Sequence, residues 1–193
     1  MARPASLPAP PGTREKLVDA AVTLMRRSGL SGAGINEIVR ESGAPKGSVY
    51  HFFPGGKREI VEAGLAVHAG RVAAFIDATL SDRRSPREKV KALFEAFARR
   101  LEEGEFRHSC AAGTVCLDLD EEFEALLPAV AGALQAYQRA IAAHFPFRSR
   151  RRAESFAGLL LTAIEGAYIR GRAERSGRAF REAGEWLAGL AVD

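Results

Sequence analysis

Lys46, Ser48, Tyr50 and His51 stand just after Pro45 within a single short segment. They offer an ammonium, two hydroxyls and an imidazole, groups that contact phosphate oxygens and base edges without making or breaking covalent bonds. Reactive side chains elsewhere are sparse. Cys110 and Cys116 stand six residues apart, and His108 lies two residues before the first of them. A His-x-Cys pair with no further Cys/His pair is no metal-ligand set, so neither a metal nor any other cofactor is expected. Gly55-Gly56-Lys57 fails as a phosphate-binding loop, because His51 stands where the first glycine is needed and Arg58 comes directly after the lysine. Two alternatives rest on the thiols. A redox switch would require a depressed thiol pKa, for which His108 or Arg107 is the available neighbour. An enzyme would require Cys110 as nucleophile with His108 or His68 as base, but no orienting third group is visible and the Lys46–Phe53 run goes unexplained. By default, two cysteines in a cytoplasmic chain are reduced and inert.

The elements that must position the polar segment are two short helices within residues 34–53. Ile35, Ile38 and Val39 give the first an apolar face at helical spacing. Gly43 supplies the left-handed backbone of a tight interhelical turn. Pro45 fits the first position of the second helix and drives Ala44 into an extended N-cap conformation. Ahead of this pair, Thr13 is expected to cap a helix carrying Leu17, Ala20, Ala21 and Leu24, which Gly29 ends. Three such helices make a domain too thin to be stable unless it leans on the remainder of the chain.

That remainder is helical as well. A fourth helix is expected from Gly56 or Lys57 to Leu80, with Val61, Leu65, His68, Val72, Phe75 and Ile76 on its stripe. Ser85-Pro86-Arg87-Glu88 is a capping box that opens a helix through Val90, Leu93, Phe94, Phe97 and Leu101. A short helix is expected over 110–117 and a long one over 121–145, which Pro128 either starts or kinks. The helix over 150–175 is apolar on several sides, as a helix serving both a core and an interface would be. Ser176-Gly177 breaks it before a last helix with Phe180, Trp186, Leu187 and Leu190. No strand pattern and no repeat appears. The fold class is all-α, with about nine helices.

At 193 residues the chain can bury a full core. Its excess charge is localised: residues 1–60 hold nine Lys/Arg against five Asp/Glu, and residues 61–193 hold nineteen of each. The whole net charge of +4 thus sits on the segment with the paired helices, where phosphate attraction would need it. No apolar run reaches membrane-spanning length, and the Pro/Ala-rich residues 1–12 lack a signal-peptide core and read as a flexible arm. A cytoplasmic location is expected.

The run Ser42-Gly43-Ala44-Pro45-Lys46-Gly47-Ser48-Val49-Tyr50-His51-Phe52-Phe53, with Lys57 after it, closely resembles the helix-turn-helix of TetR/AcrR transcriptional regulators. The Pro54-Gly55-Gly56-Lys57 form is similar to the LmrA-like branch, whose members repress drug-resistance and efflux genes. The resemblance implies a DNA-binding domain over 13–58 and an effector-binding and dimerisation domain over 59–193. It implies that Tyr50, His51 and Lys57 contact phosphates. From the residues themselves, Pro45, Lys46 and Gly47 at the positive helix N-terminus suit a phosphate or base edge, Ser48 can reach either, and Asn36 and Arg40 are expected to flank them. Where family members carry Thr to cap the helix and touch phosphate, this chain has Gly34, which keeps much of the capping and loses the contact. The implied partners are a palindromic double-stranded operator, a second copy of the chain through the last two long helices, and a small-molecule effector that re-spaces the two DNA-binding domains. Candidate effector contacts are His68, Phe94, Phe97, Cys110, Tyr137 and Glu165, polar or aromatic groups on otherwise apolar faces. For His68, Phe94 and Phe97 the rival assignment is plain core; for Glu165 it is an interfacial pair with an arginine. The expected function is that of a repressor released from its operator by a small hydrophobic molecule, with an activator or a constitutive DNA-binding regulator of the same fold as the alternative.

Overall fold

The computed structural model describes residues 12–82 and 84–191. Their regular structure is nine α-helices and one 3-10 helix: α1 (Thr13–Ser28), α2 (Ile35–Ser42), α3 (Lys46–Phe52), α4 (Lys57–Leu80), α5 (Pro86–Glu103), α6 (Ala111–Leu117), the 3-10 turn Glu121–Leu126, α7 (Leu127–Ala142), α8 (Arg150–Glu174) and α9 (Arg178–Ala188). No strand occurs among the described residues. Apart from Gly12, the expected flexible arm lies outside them.

α1 buries Leu17, Ala21, Leu24 and Met25 completely or nearly so, and Gly29 closes it at φ 69°. α2 ends at Gly43, whose φ of 65° is the left-handed conformation the turn requires, with its N–H donating to the Val39 carbonyl. Ser42 Oγ accepts from the Ala44 N–H and tightens the same turn. α3 has only seven residues and one buried side chain, Val49. A helix that short has no stability of its own; it is held by Val49 and Phe53 packing into the common core. α4 is 24 residues long, roughly 36 Å at 1.5 Å per residue, and carries the chain out of this three-helix group. Its lower turns bury Ile60, Val61 and Leu65, and its upper turns His68, Val72, Ile76 and Leu80. There α4 packs on α7, while α5 and α9 form the most extensive pairing and α8 bridges α7 and α9. Arg181 of α9 locks the α5 pairing with bonds to Glu95 and Glu102.

Three boundaries differ from expectation. Thr13 does not cap α1; Gly12 does, in extended conformation, and the Glu15 carboxylate curls back to within 2.6 Å of where a Cβ would stand. Pro45 is the N-cap of α3 rather than its first residue, because its own ψ of 138° is extended and helical geometry starts at Lys46. The long helix over 121–145 is interrupted. Asp120 accepts from the Phe123 N–H and sets a 3-10 turn, and α7 begins at Leu127 with Pro128 in its first turn. Proline lacks the N–H that a helix running through would need and its ring clashes with the preceding turn, so Pro128 starts the helix.

The α5–α9 pairing depends on close approach at Gly184, where a Cβ would lie 2.8 Å from Phe94 Cβ. Gly184→Ala must therefore part the two helices. Overpacking of this kind costs about 1–3 kcal/mol, so thermal unfolding should shift down by roughly 2–10 °C. An unchanged midpoint would mean that the interface is looser than these distances require.

Candidate nucleic-acid interface and effector cavity

The basic segment stands on the outside of the three-helix group. On α3, Lys46, Gly47, Tyr50 and His51 are exposed and Ser48 is half-buried; Pro45 is exposed just before it. Tyr50 is 54% exposed, too open for its ring to serve as packing within the small domain. A Cβ at Gly47 would meet nothing within 4 Å, so the protein's own packing does not require glycine there. Asn36 and Arg40 are exposed one turn apart on α2. Gly34 caps α2 in extended conformation, with the Glu37 carboxylate 2.6 Å from where a Cβ would stand. Lys57 opens α4 half-buried, its ammonium 4.8 Å from the centroid of the Phe123 ring. Phe123 lies in the 3-10 turn Glu121–Leu126 and so seats the lysine against that turn.

The three-helix group is clasped by α6. Thr114 Oγ1 donates to the Met25 carbonyl at 2.7 Å. The Ser109 N–H donates to the Arg26 carbonyl at 2.9 Å, and Arg26 Nε returns a bond to the Ser109 carbonyl at 3.2 Å. Asp118 accepts from both the N–H and the hydroxyl of Ser31. Two of these bonds reach carbonyls in the last turn of α1, that of Met25 also accepting from the Gly29 N–H, and Asp118 holds the loop that follows. The segment leading to α6 carries two consecutive left-handed residues, Glu105 at φ 51° and Phe106 at φ 61°. For a bulky residue such as Phe106 that conformation is strained.

Behind the clasp lies a cavity with a free volume of about 20 Å3, room for one water molecule. Val72, Ile76, Ile141, Leu161 and Ile164 give it apolar walls. Five of the six candidate effector residues line it: His68, Phe97, Cys110, Tyr137 and Glu165. Phe94 does not; fully buried, it packs against Gly184 in the α5–α9 core. Four lining groups were not foreseen: Arg26, Arg100, Ser109 and Tyr168. A signal existed for Arg100, which stands seven residues after Leu93 and so on the apolar face of α5. Nothing comparable marked Arg26, one of two arginines in the last turn of α1, where a cation ordinarily complements the helix dipole in solvent.

Burial controls the charges here. Burial, and then Arg26, Arg100 and Arg71, push His68 down to about 3, leaving a neutral imidazole. Burial raises the Glu165 carboxyl, against the opposing effect of its hydrogen bond with Cys110. Burial and then Glu165 push the Cys110 thiol up, the reverse of the activated thiolate that a redox or nucleophilic role would need. Tyr137 Oη is buried without a nitrogen or oxygen partner. Among the described residues no three His, Cys, Asp or Glu side chains converge as a metal site, and no helix is long and apolar enough to cross a membrane.

Comparison with known proteins fits this geometry. Residues 17–63 match the profile of bacterial regulatory proteins of the tetR family, and residues 86–186 match that of the LmrA/YxaF-like transcriptional regulator C-terminal domain. An HTH-type transcriptional regulator of Mycobacterium tuberculosis (Rv0196) is 30% identical over 174 residues, covering 85% of this chain and 86% of that protein. LmrA of Bacillus subtilis is 52% identical over 48 residues, covering 25% of this chain and 26% of its own. The crystal structure of regulatory protein TetR from Rhodobacter sphaeroides superposes with a TM-score of 0.78 at 21% identity, covering 91% of this chain and 97% of that one. A cysteine mutant of the TetR family regulator CifR, in a structure with 26-bp operator DNA, superposes at 0.76 with 19% identity over 96% of this chain and 98% of its own. The chain belongs to the TetR family of DNA-binding transcriptional regulators and carries an LmrA/YxaF-like C-terminal domain.

Proposed function

We propose that the chain is a cytoplasmic, homodimeric repressor that a small apolar molecule releases from a palindromic operator. The carrying observation is the cavity, whose wall includes Arg26 of α1 and Ser109 and Cys110 at the entry to α6. A ligand entering it touches the helix under the helix-turn-helix and the element clasped to that helix. Residues 13–58 form the DNA-binding domain in this reading and residues 59–193 the effector-binding and dimerisation domain. Tyr50, His51 and Lys57 take phosphates. Pro45, Lys46, Gly47 and Ser48 meet the groove at the positive end of α3, and Asn36 and Arg40 flank them. An effector that favours a spacing of the two α3 helices unlike that of the half-sites lowers operator affinity by its differential affinity for the two spacings. An activator or a constitutive binder would use the same face, and the position of the operator relative to the promoter separates them. The thiol-based readings and an enzymatic role gain no support from the raised Cys110.

For the dimer, α8 presents an outward stripe of Leu159, Thr162, Gly166, Ile169 and Ala173 at helical spacing, all exposed. α9 adds Trp186, 84% exposed, and the turn after it adds Leu190, which borders a common groove with Leu159. A patch holding an open tryptophan and isoleucine is apolar surface that a second copy would cover, and an isologous pairing presents two α3 helices to a palindrome.

Two experiments test this reading. In binding to the chain's own upstream intergenic DNA, a Tyr50→Ala, Lys57→Ala variant should lose at least about tenfold in affinity, and its log–log salt slope should fall by about 1 for the lost lysine contact. Equal binding by variant and parent would remove the phosphate role from these two residues. In light scattering, Ile169→Glu combined with Trp186→Glu should halve the solution mass and abolish binding to the palindrome but not the helical circular dichroism signal. A variant that stays dimeric would exclude this face as the interface.

A further inference from the structure

The cavity holds more positive charge than its own acid balances. Arg26 and Arg100 both line it, among mainly apolar walls. On the surface, arginines such as Arg99, Arg170 and Arg181 each pair with a carboxylate. Among the described residues neither Arg26 nor Arg100 forms an ion pair with one. Arg26 is held by the Ser109 carbonyl, and Arg100 lies 4.3 Å from the centroid of the Phe75 ring. Glu165, the carboxylate in the cavity wall, engages the Cys110 thiol instead, and its burial favours the protonated form. Both are partly buried, and a partly buried guanidinium with no carboxylate partner is a ready donor to an anion. Other polar groups stand by them: neutral His68 and the hydroxyl of Tyr137, which has no nitrogen or oxygen partner. Arg27, Arg107 and Arg172 add to the positive field felt at His108, just before Ser109 and Cys110, an arrangement that draws anions in.

We infer that the effector is an apolar organic molecule with one anionic head group, and that Arg26 and Arg100 hold that head group while the aliphatic walls take the body. The inference rests on the reading of the cavity as an effector site and adds the class of ligand. It also gives the ligand a direct grip on the DNA-binding domain. Arg26 belongs to α1, and an anion that draws its guanidinium competes with the bond to Ser109 that ties α1 to α6.

The test uses two fluorescent probes with one ring skeleton, 8-anilinonaphthalene-1-sulfonate and the neutral N-phenyl-1-naphthylamine. They are titrated into the full chain and into Arg26→Met, Arg100→Met and Leu161→Trp variants. Leu161→Trp fills the cavity and should abolish the binding of both probes. In the parent chain the sulfonate should bind at least about tenfold more tightly than the neutral amine. Each arginine variant should cut that preference severalfold and leave the affinity for the neutral probe unchanged, which also shows that the variant is folded. If Arg26→Met fails to fold through loss of its bond to α6, Arg100→Met, which lies outside the clasp, decides. A preference that survives in Arg100→Met, or none in the parent, overturns the anionic class and leaves the cavity standing as a site for neutral effectors. Absence of binding by either probe, or binding that Leu161→Trp does not disturb, sinks the effector reading of the cavity and the anion with it.

Discussion

α1 cannot be buried by the helix-turn-helix alone, and the rest of the structure answers that shortage. α2 and α3 together bury only Ile38 and Val49 within their helices, too little apolar surface to hold three helices in register. Leu17, Ala21, Leu24 and Met25 are closed off because α4 and α6 lie across them. The contact with α4 is tight enough at Gly64 that a Cβ there would meet the Met25 methyl at 2.7 Å. Close-packed interfaces of this kind move as units or not at all. A displacement of α6 or of the lower half of α4 is therefore passed to α1 and through it to α3, with little slack for side chains to absorb.

The polar bonds of the clasp add direction to that packing. They gather at the last turn of α1 and the loop after it, and come from Ser109, Thr114 and Asp118 on one short stretch of chain. One stretch thus both walls the cavity and holds the helix end. Arg26 occupies the crossing: its main chain and its side chain bond the same residue, Ser109, while its guanidinium faces the cavity. A cation in that position keeps its charge at any physiological pH, so its partner is decided by what occupies the cavity and not by protonation. His68 has a similarly fixed state, held neutral because its pKa lies well below physiological pH.

Legibility in the sequence tracks how local each determinant is. The turn at Gly43, the capping box at Ser85 and the break at Ser176-Gly177 are set by a few neighbouring residues, and the chain carries their signals openly. Pro128 is ambiguous in the sequence because proline starts helices and kinks them by the same chemistry; what decides is Asp120, whose side chain caps a separate 3-10 turn. The left-handed Glu105 and Phe106 carry no local signal, since neither residue favours that backbone; their N–H groups bond the Glu102 and Leu101 carbonyls at the end of α5. In the cavity, polar groups on apolar stripes are legible because a His, Cys, Tyr or Glu at such a position needs a reason. Phe94 misleads because periodicity distinguishes inside from outside and not core from cavity. The glycine that accepts its ring, Gly184, lies ninety residues on. Arg26 is hidden by the opposite effect, a cation at a helix end being where one is expected in solvent.

The small free volume determines where coupling arises. A pocket for a drug-sized ligand spans some 300 Å3 or more, against about 20 Å3 here. Any such ligand must make its own space, and the walls differ in what they yield. α8 is wedged between α7 and α9, and α9 is tied to α5 through Arg181. α6 has seven residues, follows a strained left-handed pair and its lead-in, and packs on α7 as well as bonding to α1. In the proposed reading, a ligand that displaces α6 opens the cavity where it meets α1, and the opening acts on the clasp. The coupling in that reading is reciprocal: if holding α1 and α3 in the DNA-competent position also holds the cavity shut, operator and effector each weaken the binding of the other by the same factor.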